Sequence, residues 1–584
     1  MAITKDGARC YVTNSNDDTV STIDLAEGRV LNTFSVRPAQ DIGYGQMPVS
    51  CALSADEKRL FVTCGGGNSV AVIDLPGAPK VAGYLPAGWF PLAVARVGSG
   101  LAVASSKGIG ARPDNPARGY GVHASVGMVQ VIPEAEIYKL AAHTKQVAMN
   151  NAWSAGKGEA RADRKPVPIP ERVGEPSVFR HVVYIIKENH TYDLDLGDMQ
   201  EGNGDPKLCL FPEEVTPNAH ALAREFILLD NAYTSGTNSA DGHQWVASSI
   251  ANGYMEQNYN AHERSYPYDG GDPLSTSPTG YLWTQAAKAG KSVRVYGEFV
   301  DKPKVIDPST GRAPNWKQLW DDYKSGANKM QISAHTSQAA LRPHMHPTFI
   351  GFPSIVSDQW RADQYIAELK EFEAKGSMPD LSIMLLPNNH TSGTRAGMPT
   401  PRAAVADNDL ALGRIVDAIS KSRFWKETLI LVVEDDSQLA FDHIDGHRMP
   451  VQAISAYTRR KSVNHEPYNH TSFARTIGLV LGLPPMNRFD RTGLPLTACF
   501  TNKPDIAPFN YRPAKIALDE MNPSPKALNG EAKRWAVASQ KLDLHDVDRV
   551  DPNIVGRAVW HSVRGSAAFP SASFNPPEEP DDDD

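Results

Sequence analysis

The chain has 584 residues, 41% of them apolar and 22% charged, with a formal net charge of −8. That length exceeds what a single core organises, and so mildly acidic a balance argues against nucleic acid as a partner. No stretch reaches the ~20 apolar residues of a membrane span, and Met1-Ala-Ile-Thr-Lys-Asp-Gly7 lacks the apolar core of a signal peptide. A soluble chain is expected, periplasmic or secreted only in a longer form. Cys10, Cys51, Cys64, Cys209 and Cys499 form no CxxC pair, which excludes a zinc ribbon and a thioredoxin-like site. They read as buried thiols, with a Cys51–Cys64 cross-strand pairing left open.

The amino-terminal 150 residues repeat themselves. Tyr11-Val-Thr-Asn14 with Val20-Ser-Thr-Ile-Asp-Leu25 returns as Phe61-Val-Thr-Cys64 with Val70-Ala-Val-Ile-Asp-Leu75, fifty positions on. A weaker third copy follows, in which Phe90-Pro-Leu-Ala-Val-Ala95 echoes Met47-Pro-Val-Ser-Cys-Ala52 and Val129-Gln-Val-Ile132 stands in for the last strand. Short strands punctuated by Gly and Asn at such a period are how a propeller blade looks in sequence. The region resembles the YVTN-type β-propeller repeats, whose signature Tyr11-Val-Thr-Asn14 carries verbatim. A closed ring needs about four blades or more, whereas three copies fit within residues 1–150. The ring is therefore expected to be incomplete, closed by missing upstream blades, by the second domain or by another copy in a homo-oligomer. Residues 133–151 read as a helix with Ile137, Leu140 and Ala141 on one face, and the Pro- and charge-rich residues 151–179 as a linker.

From Arg180 apolar strands alternate with amphipathic helices, which predicts an α/β domain over residues 180–500. The expected strands are Val182–Lys187, Ser292–Gly297, Leu381–Leu386, Leu429–Val433 and Val451–Tyr457. Val405, Leu412, Ile415, Val416 and Ile419 share one helical face, as do Phe473, Ile477, Val480 and Leu481. The carboxyl ends of such strands are where sites are built, and polar clusters stand there. Glu188-Asn189 follows the first strand. Ser239 precedes His243 by four residues, one side of a helix if a helix begins there. Asn389-His390-Thr391 follows Leu386. Glu434-Asp435-Asp436 closes the most apolar run, and three adjacent carboxylates ask for a cation or a basic partner. In Asp442-His-Ile-Asp-Gly-His-Arg448, alternation puts His443, Asp445 and His447 on one face of an extended segment, and His470 stands just before the last helix. Together these point to a metal-dependent ester hydrolase.

On these motifs the stretch from about Arg180 to Phe500 resembles the phosphoesterase family that includes bacterial phospholipases C and an acid phosphatase branch, within the alkaline-phosphatase superfamily. The matching residues are Glu188-Asn189 with Thr191-Tyr-Asp193, Ser239 in Ser-Ala-Asp-Gly-His-Gln-Trp245, Asp435-Asp436 with Asp442-His443, and Asn469-His-Thr-Ser472. The resemblance implies an alkaline-phosphatase-like α/β/α sandwich preceded by the incomplete all-β repeat domain, a pairing familiar among bacterial proteins. It also implies a divalent metal ion (Mn, Mg, Ca, Zn or Fe) held by Glu188, Asn189, Ser239, Asp435, Asp436 and His470. Ser239 would be the nucleophile, with His243, His443, His447 and Arg448 offsetting phosphoryl charge. Asn389 stands where two-metal relatives have aspartate, which favours one ion over two.

The expected activity is phosphomonoester hydrolysis through a phosphoserine on Ser239. One alternative is a phospholipase C-like phosphodiesterase, with Trp245, Tyr281 and Trp283 as an exposed apolar rim. The other is a degenerate phosphoesterase that binds partners through its repeat domain. Gly290-Lys291-Ser292 is no Walker A motif, since Gln285 replaces the leading glycine, and no GxGxxG is present. The segments 194–219 and 252–279 are expected to shape a pocket for a small phosphate ester. Residues 501–584 read as an extension with a helix near Glu531–Lys541 and a solvated acidic tail.

Overall fold

The computed structural model describes residues 1–109, 125–156, 158–161, 163–257, 272–437, 442–543 and 552–570. The acidic tail and much of the expected pocket segment 252–279 lie outside them. The repeat region forms three antiparallel sheets of consecutive strands. The first runs from Ala2 to Ser35 and the second from Pro48 to Pro86, with four strands each, and the third, of three strands, from Trp89 to Ile132. The inner strands Arg59–Cys64 and Ser69–Asp74 are almost wholly buried, as the repeated apolar alternation requires. One sheet per sequence copy is compatible with a repeat domain, and no closed ring is present among the described residues. The expected single helix after it is two, Glu134–Ile137 and Leu140–Asn150, the second laid on the strand Lys80–Pro86 with Leu140 and Thr144 against Gly83. Residues 151–179 carry neither helix nor strand among those described.

The second region is built on a six-stranded sheet in the order Met345–Ile350, Val293–Gly297, Leu381–Leu386, His181–Lys187, Thr428–Glu434, Gln452–Ile454. All neighbours are parallel except the last pair, which is antiparallel. The three central strands are buried on both faces, which is why they read as unbroken apolar runs. Two edges differ from expectation. Met345-His-Pro-Thr-Phe-Ile350 escaped the sequence reading because Pro347 and its polar neighbours disguise a half-exposed edge strand. The stretch from Val451 to Tyr457 shortens to Gln452–Ile454.

Helices Asp358–Lys375, Pro401–Lys421 and His470–Leu481 bury Tyr365, Ile415, Val416, Phe473 and Ile477 in the core around the sheet. Val405 instead joins a separate cluster with Leu194, Phe211, Leu542, Val555 and Val559, so the extension beyond residue 500 packs on the α/β region. Its expected helix spans Gly530–Gln540. The five cysteines are all buried and free, and Cys51 and Cys64 are not paired with each other. No described helix is long and apolar enough to cross a membrane.

The two regions share a core. Tyr44, Met47 and Phe90 of the repeat region pack with Ala240, Trp245, Ile250, Ala251 and Met255 of the α/β region.

Candidate active site

Ser239 opens a ten-residue helix, Ser239–Ser248, every residue of which is buried. The helix starts there because Asn238 caps it. The Asn238 side chain accepts from the Asp241 amide, and Asp241 Oδ1 accepts from the amides of Thr237 at 3.0 Å and Asn238 at 2.9 Å, a reciprocal capping box. Gly242 brings the first turn against the acidic turn that ends the strand Thr428–Glu434. Across that contact Ser239 Oγ donates to Asp436 Oδ2 at 2.8 Å.

His243, one turn on, lies among three carboxylates. Its Nε2 is 2.9 Å from Glu188 Oε1 and 3.4 Å from Asp435 Oδ2, and its Nδ1 is 3.0 Å from Glu298 Oε1. Burial alone would lower the imidazole's pKa, but Glu298 and Glu188 raise it to about 10. Glu188, His243 and Asp435 each offer a donor atom, all within 4.8 Å of one another and all buried. The Asn189 side chain beside them is fully buried with no hydrogen-bond partner on either polar atom. Two carboxylates, an imidazole and an orphaned amide suit a divalent cation, so the residues fit the expected metal. Glu298 follows the strand Val293–Gly297 directly and escaped the sequence reading, although the strand-exit rule that found Glu188 applies to it equally.

Glu434 stands apart from this group. Its Oε1 accepts from Lys187 Nζ at 3.0 Å and its Oε2 from Asn389 Nδ2 at 2.9 Å, while Asn389 Oδ1 accepts the Glu188 amide at 3.0 Å. Burial pulls the Lys187 ammonium down, but Glu434 and Asp195 hold it above its ordinary value. An aspartate at 389 would set carboxylate against carboxylate. Asparagine is therefore fitted to Glu434 and braces the strand exits.

The remaining expected site residues lie elsewhere. His470 begins its helix, buried, with Nδ1 accepting from the Ser235 amide at 3.2 Å and Nε2 donating to the Glu434 carbonyl at 2.8 Å. Burial, with His243 nearby, lowers its pKa to about 4. Both ring nitrogens serve the backbone, so His470 fixes the approach to Ser239 and stands outside the donor group. Residues 442–448 do not form the expected extended face. His443 Nδ1 turns to Asp193 Oδ2 at 2.6 Å and His447 Nδ1 to Asp445 Oδ1 at 2.8 Å. Arg448 is buried, with Nε on both oxygens of Asp442 at 3.0 Å, Nη2 on Asp193 Oδ1 at 2.9 Å, and Nη1 on the carbonyls of Asn203 and Asp230. It is the cation of a second acidic cluster, Asp193 and Asp442 with His443, in which burial raises the Asp442 carboxyl to about 6 against the pull of Arg448. The apolar rim is also absent where expected, since Trp245, Tyr281 and Trp283 are 9%, 3% and 0% exposed.

A third group comes from the repeat region. Lys107, buried at the end of the strand Gly100–Gly108, pairs with Glu256 at 2.8 Å beneath the Trp89 ring, and that ring stands 6.3 Å from His447. Burial raises the Asp241 carboxyl to about 7, Lys107 lowering it and Glu256 raising it. No local signal in the sequence marks these residues.

Residues 206–484 match the family model described as "Phosphoesterase family". Similar solved structures include a protein in the alkaline phosphatase superfamily from Vibrio parahaemolyticus, 18% identical with a TM-score of 0.34 over 53% of this chain and 68% of that one. Phosphonate monoester hydrolase of Agrobacterium radiobacter is 14% identical with a TM-score of 0.35, over 57% of this chain and 79% of that one. Kuenenia stuttgartiensis hydrazine synthase is 18% identical with a TM-score of 0.17, over 23% and 32%. Similarities this low carry no argument about activity. No curated protein matches the chain.

Proposed function

From the match of residues 206–484 to the Phosphoesterase family model, we propose that the protein hydrolyses small phosphate monoesters through a phosphoseryl intermediate on Ser239. The observation that carries this reading is the 2.8 Å hydrogen bond from Ser239 Oγ to Asp436 Oδ2, beside a donor group that would hold a cation. Glu188, Asn189, His243, Asp435 and Asp436 would hold one divalent ion, Mn, Mg, Ca, Zn or Fe. When bound, such an ion supplies the positive charge that lowers a hydroxyl's pKa and offsets charge on phosphoryl oxygens. Asn389, committed to Glu434 and the Glu188 amide, supports one ion over two.

The chain's own residues then divide the work. The capped helix start aims Ser239, and Asp436 receives its proton as the Oγ–P bond forms and the ester P–O bond breaks, the released alkoxide or phenolate leaving to solvent, where it takes up a proton. In the second step water attacks the phosphoseryl phosphorus, and Ser239 recovers its proton from Asp436. His470, neutral and tied to two backbone groups, keeps the approach to Ser239 fixed.

Turnover of aryl phosphate mono- and diesters by protein reconstituted with each of the five metals, alongside Ser239→Ala, tests the reading. Monoester turnover that disappears in Ser239→Ala is expected. Retained turnover in that variant rejects the covalent route, and faster diester turnover favours the phospholipase C-like alternative. Inactivity toward both esters with every metal would point to a binding protein.

A further inference from the structure

We infer that the α/β region carries a further binding site, a cavity that takes the ring of a neutral pyranose sugar. Its volume is about 240 Å³, below the ~300 Å³ at which sites for larger ligands begin and matched to a single ring. None of its lining residues belongs to the donor group beside Ser239. The inference therefore does not rest on the reading of Ser239 as nucleophile.

Helical spacing builds the aromatic wall. Trp316 and Trp320 stand one turn apart on the helix Trp316–Lys324, and their indoles stack with centroids 5.4 Å and planes 15° apart. Asn315 caps that helix and fixes where the turn begins. Trp360, in the first turn of the helix Asp358–Lys375, lines the cavity from a second helix. It packs against a buried apolar cluster of Leu319 and Val356 with Val300, Val305 and Ile350.

The wall is held in place by the protein itself. Trp320 Nε1 donates to Asp519 Oδ2 at 3.2 Å, and the Tyr323 hydroxyl donates to Asp363 Oδ2 at 2.8 Å. The two oxygens of Asp322 accept the amides of Lys329 and Met330, each at 2.9 Å. Polar capacity is left over. Among the described residues, the indole N–H groups of Trp316 and Trp360 and the side-chain amide of Asn328 have no hydrogen-bond partner, and Asp322 keeps acceptor lone pairs beyond the two engaged.

Flat indole faces with donors and acceptors beside them suit a pyranose, which presents C–H bonds on its faces and hydroxyls around its rim. Charge selects against other ligands of that size. Lys324 Nζ stands 5.8 Å over the Trp320 ring, where it repels a second cation, and the Asp322 carboxylate on the cavity wall repels an anion. A purely apolar ring would leave the polar groups unpaired. A neutral, hydroxylated ring satisfies all of them.

The test titrates the full chain with the methyl glycosides of glucose, galactose, mannose and N-acetylglucosamine, read by saturation-transfer NMR and tryptophan fluorescence, beside tetramethylammonium and phenol. At least one glycoside is expected to saturate, with a Kd on the order of 1 mM. Trp360→Ala, at a half-buried position, is expected to raise that Kd about tenfold. Trp360→Phe should keep most of the binding, and neither variant should alter aryl phosphate turnover. Asn328→Ala, at an exposed position that leaves the fold intact, is expected to weaken binding about fivefold. Saturation by none of the glycosides overturns the inference, as does a Kd that Trp360→Ala leaves unchanged. Tetramethylammonium or phenol binding more tightly than every glycoside rejects the sugar as occupant. Ser239→Ala is expected to bind the glycoside as wild type does, so either reading can fail alone. A tenfold change in that variant would move the binding into the hydrolytic site and overturn the inference.

Discussion

A Cβ built on Gly242 would stand 2.6 Å from the carbonyl oxygen of Asp435. The serine helix and the acidic turn are therefore in backbone contact, and the position of Ser239 relative to Asp435 and Asp436 is set by the absence of a side chain. Gly242→Ala is expected to part the two elements by several tenths of an ångström and to lower kcat about 100-fold. Circular dichroism should show the fold retained. Activity within threefold of wild type would mean that the contact is not what aligns the nucleophile.

Glu298 accepts from His243 Nδ1 and so directs Nε2 toward Glu188 and Asp435. Partners of this kind orient a ligating imidazole, and their loss costs about 10–100-fold in metal affinity. Calorimetric titration of metal-stripped Glu298→Gln with Mn²⁺ or Zn²⁺ is expected to show a loss in that range. Unchanged affinity would detach His243 from the metal reading.

Arg448 is 0% exposed between Asp193 and Asp442. Removing one partner of a buried ionic cluster leaves uncompensated charge, a cost of about 3–5 kcal/mol. Arg448→Met should lower stability by that amount in urea unfolding. Arg448→Lys should recover little, because one ammonium cannot replace five directed hydrogen bonds. A variant of normal stability with lost turnover would return Arg448 to the chemistry.

Asp490 accepts from the amides of Met486 and Asn487 at 2.8 and 2.9 Å, yet burial raises its carboxyl to about 6 from the ordinary value of 3.8. A raised acid pKa stabilises the fold below the unfolded value and loses that contribution as pH rises through the folded one. The contribution is on the order of 3 kcal/mol. The melting temperature of wild type relative to Asp490→Asn is therefore expected to be highest near pH 4, to fall toward pH 6 and to be flat above it. A constant difference across that window would place the cost of burying Asp490 elsewhere.

The parts legible in sequence were those with a one-dimensional signature. Fully buried parallel strands leave unbroken apolar runs, so Val182–Lys187, Leu381–Leu386 and Leu429–Val433 could be placed closely, and the acids at their exits came with them. Ser239 and His243 were linked by helical spacing, and the helix is there. Glu434 was separable from Asp435 and Asp436, and its basic neighbour is Lys187. What failed was inference from adjacency. His443, Asp445 and His447 look like one face in sequence, but Asp193, some 250 positions upstream, claims His443, and His447 turns to Asp445. Lys107 and Glu256 were invisible for the same reason, since each needs a partner that only the packing of two regions supplies.

The distribution of thiols gives the molecule a built-in reporter. Cys10, Cys51 and Cys64 are buried in the repeat region and Cys209 and Cys499 in the α/β region, and burial pushes the Cys64 and Cys499 thiols up to about 12. Thiolate is the species that alkylates, so a folded chain should resist iodoacetamide throughout and label only where it opens. Peptide mapping of the modified cysteines would then time the loosening of each region separately. Simultaneous labelling of both sets would identify the shared core around Trp245 as the seam that makes two architectures unfold as one.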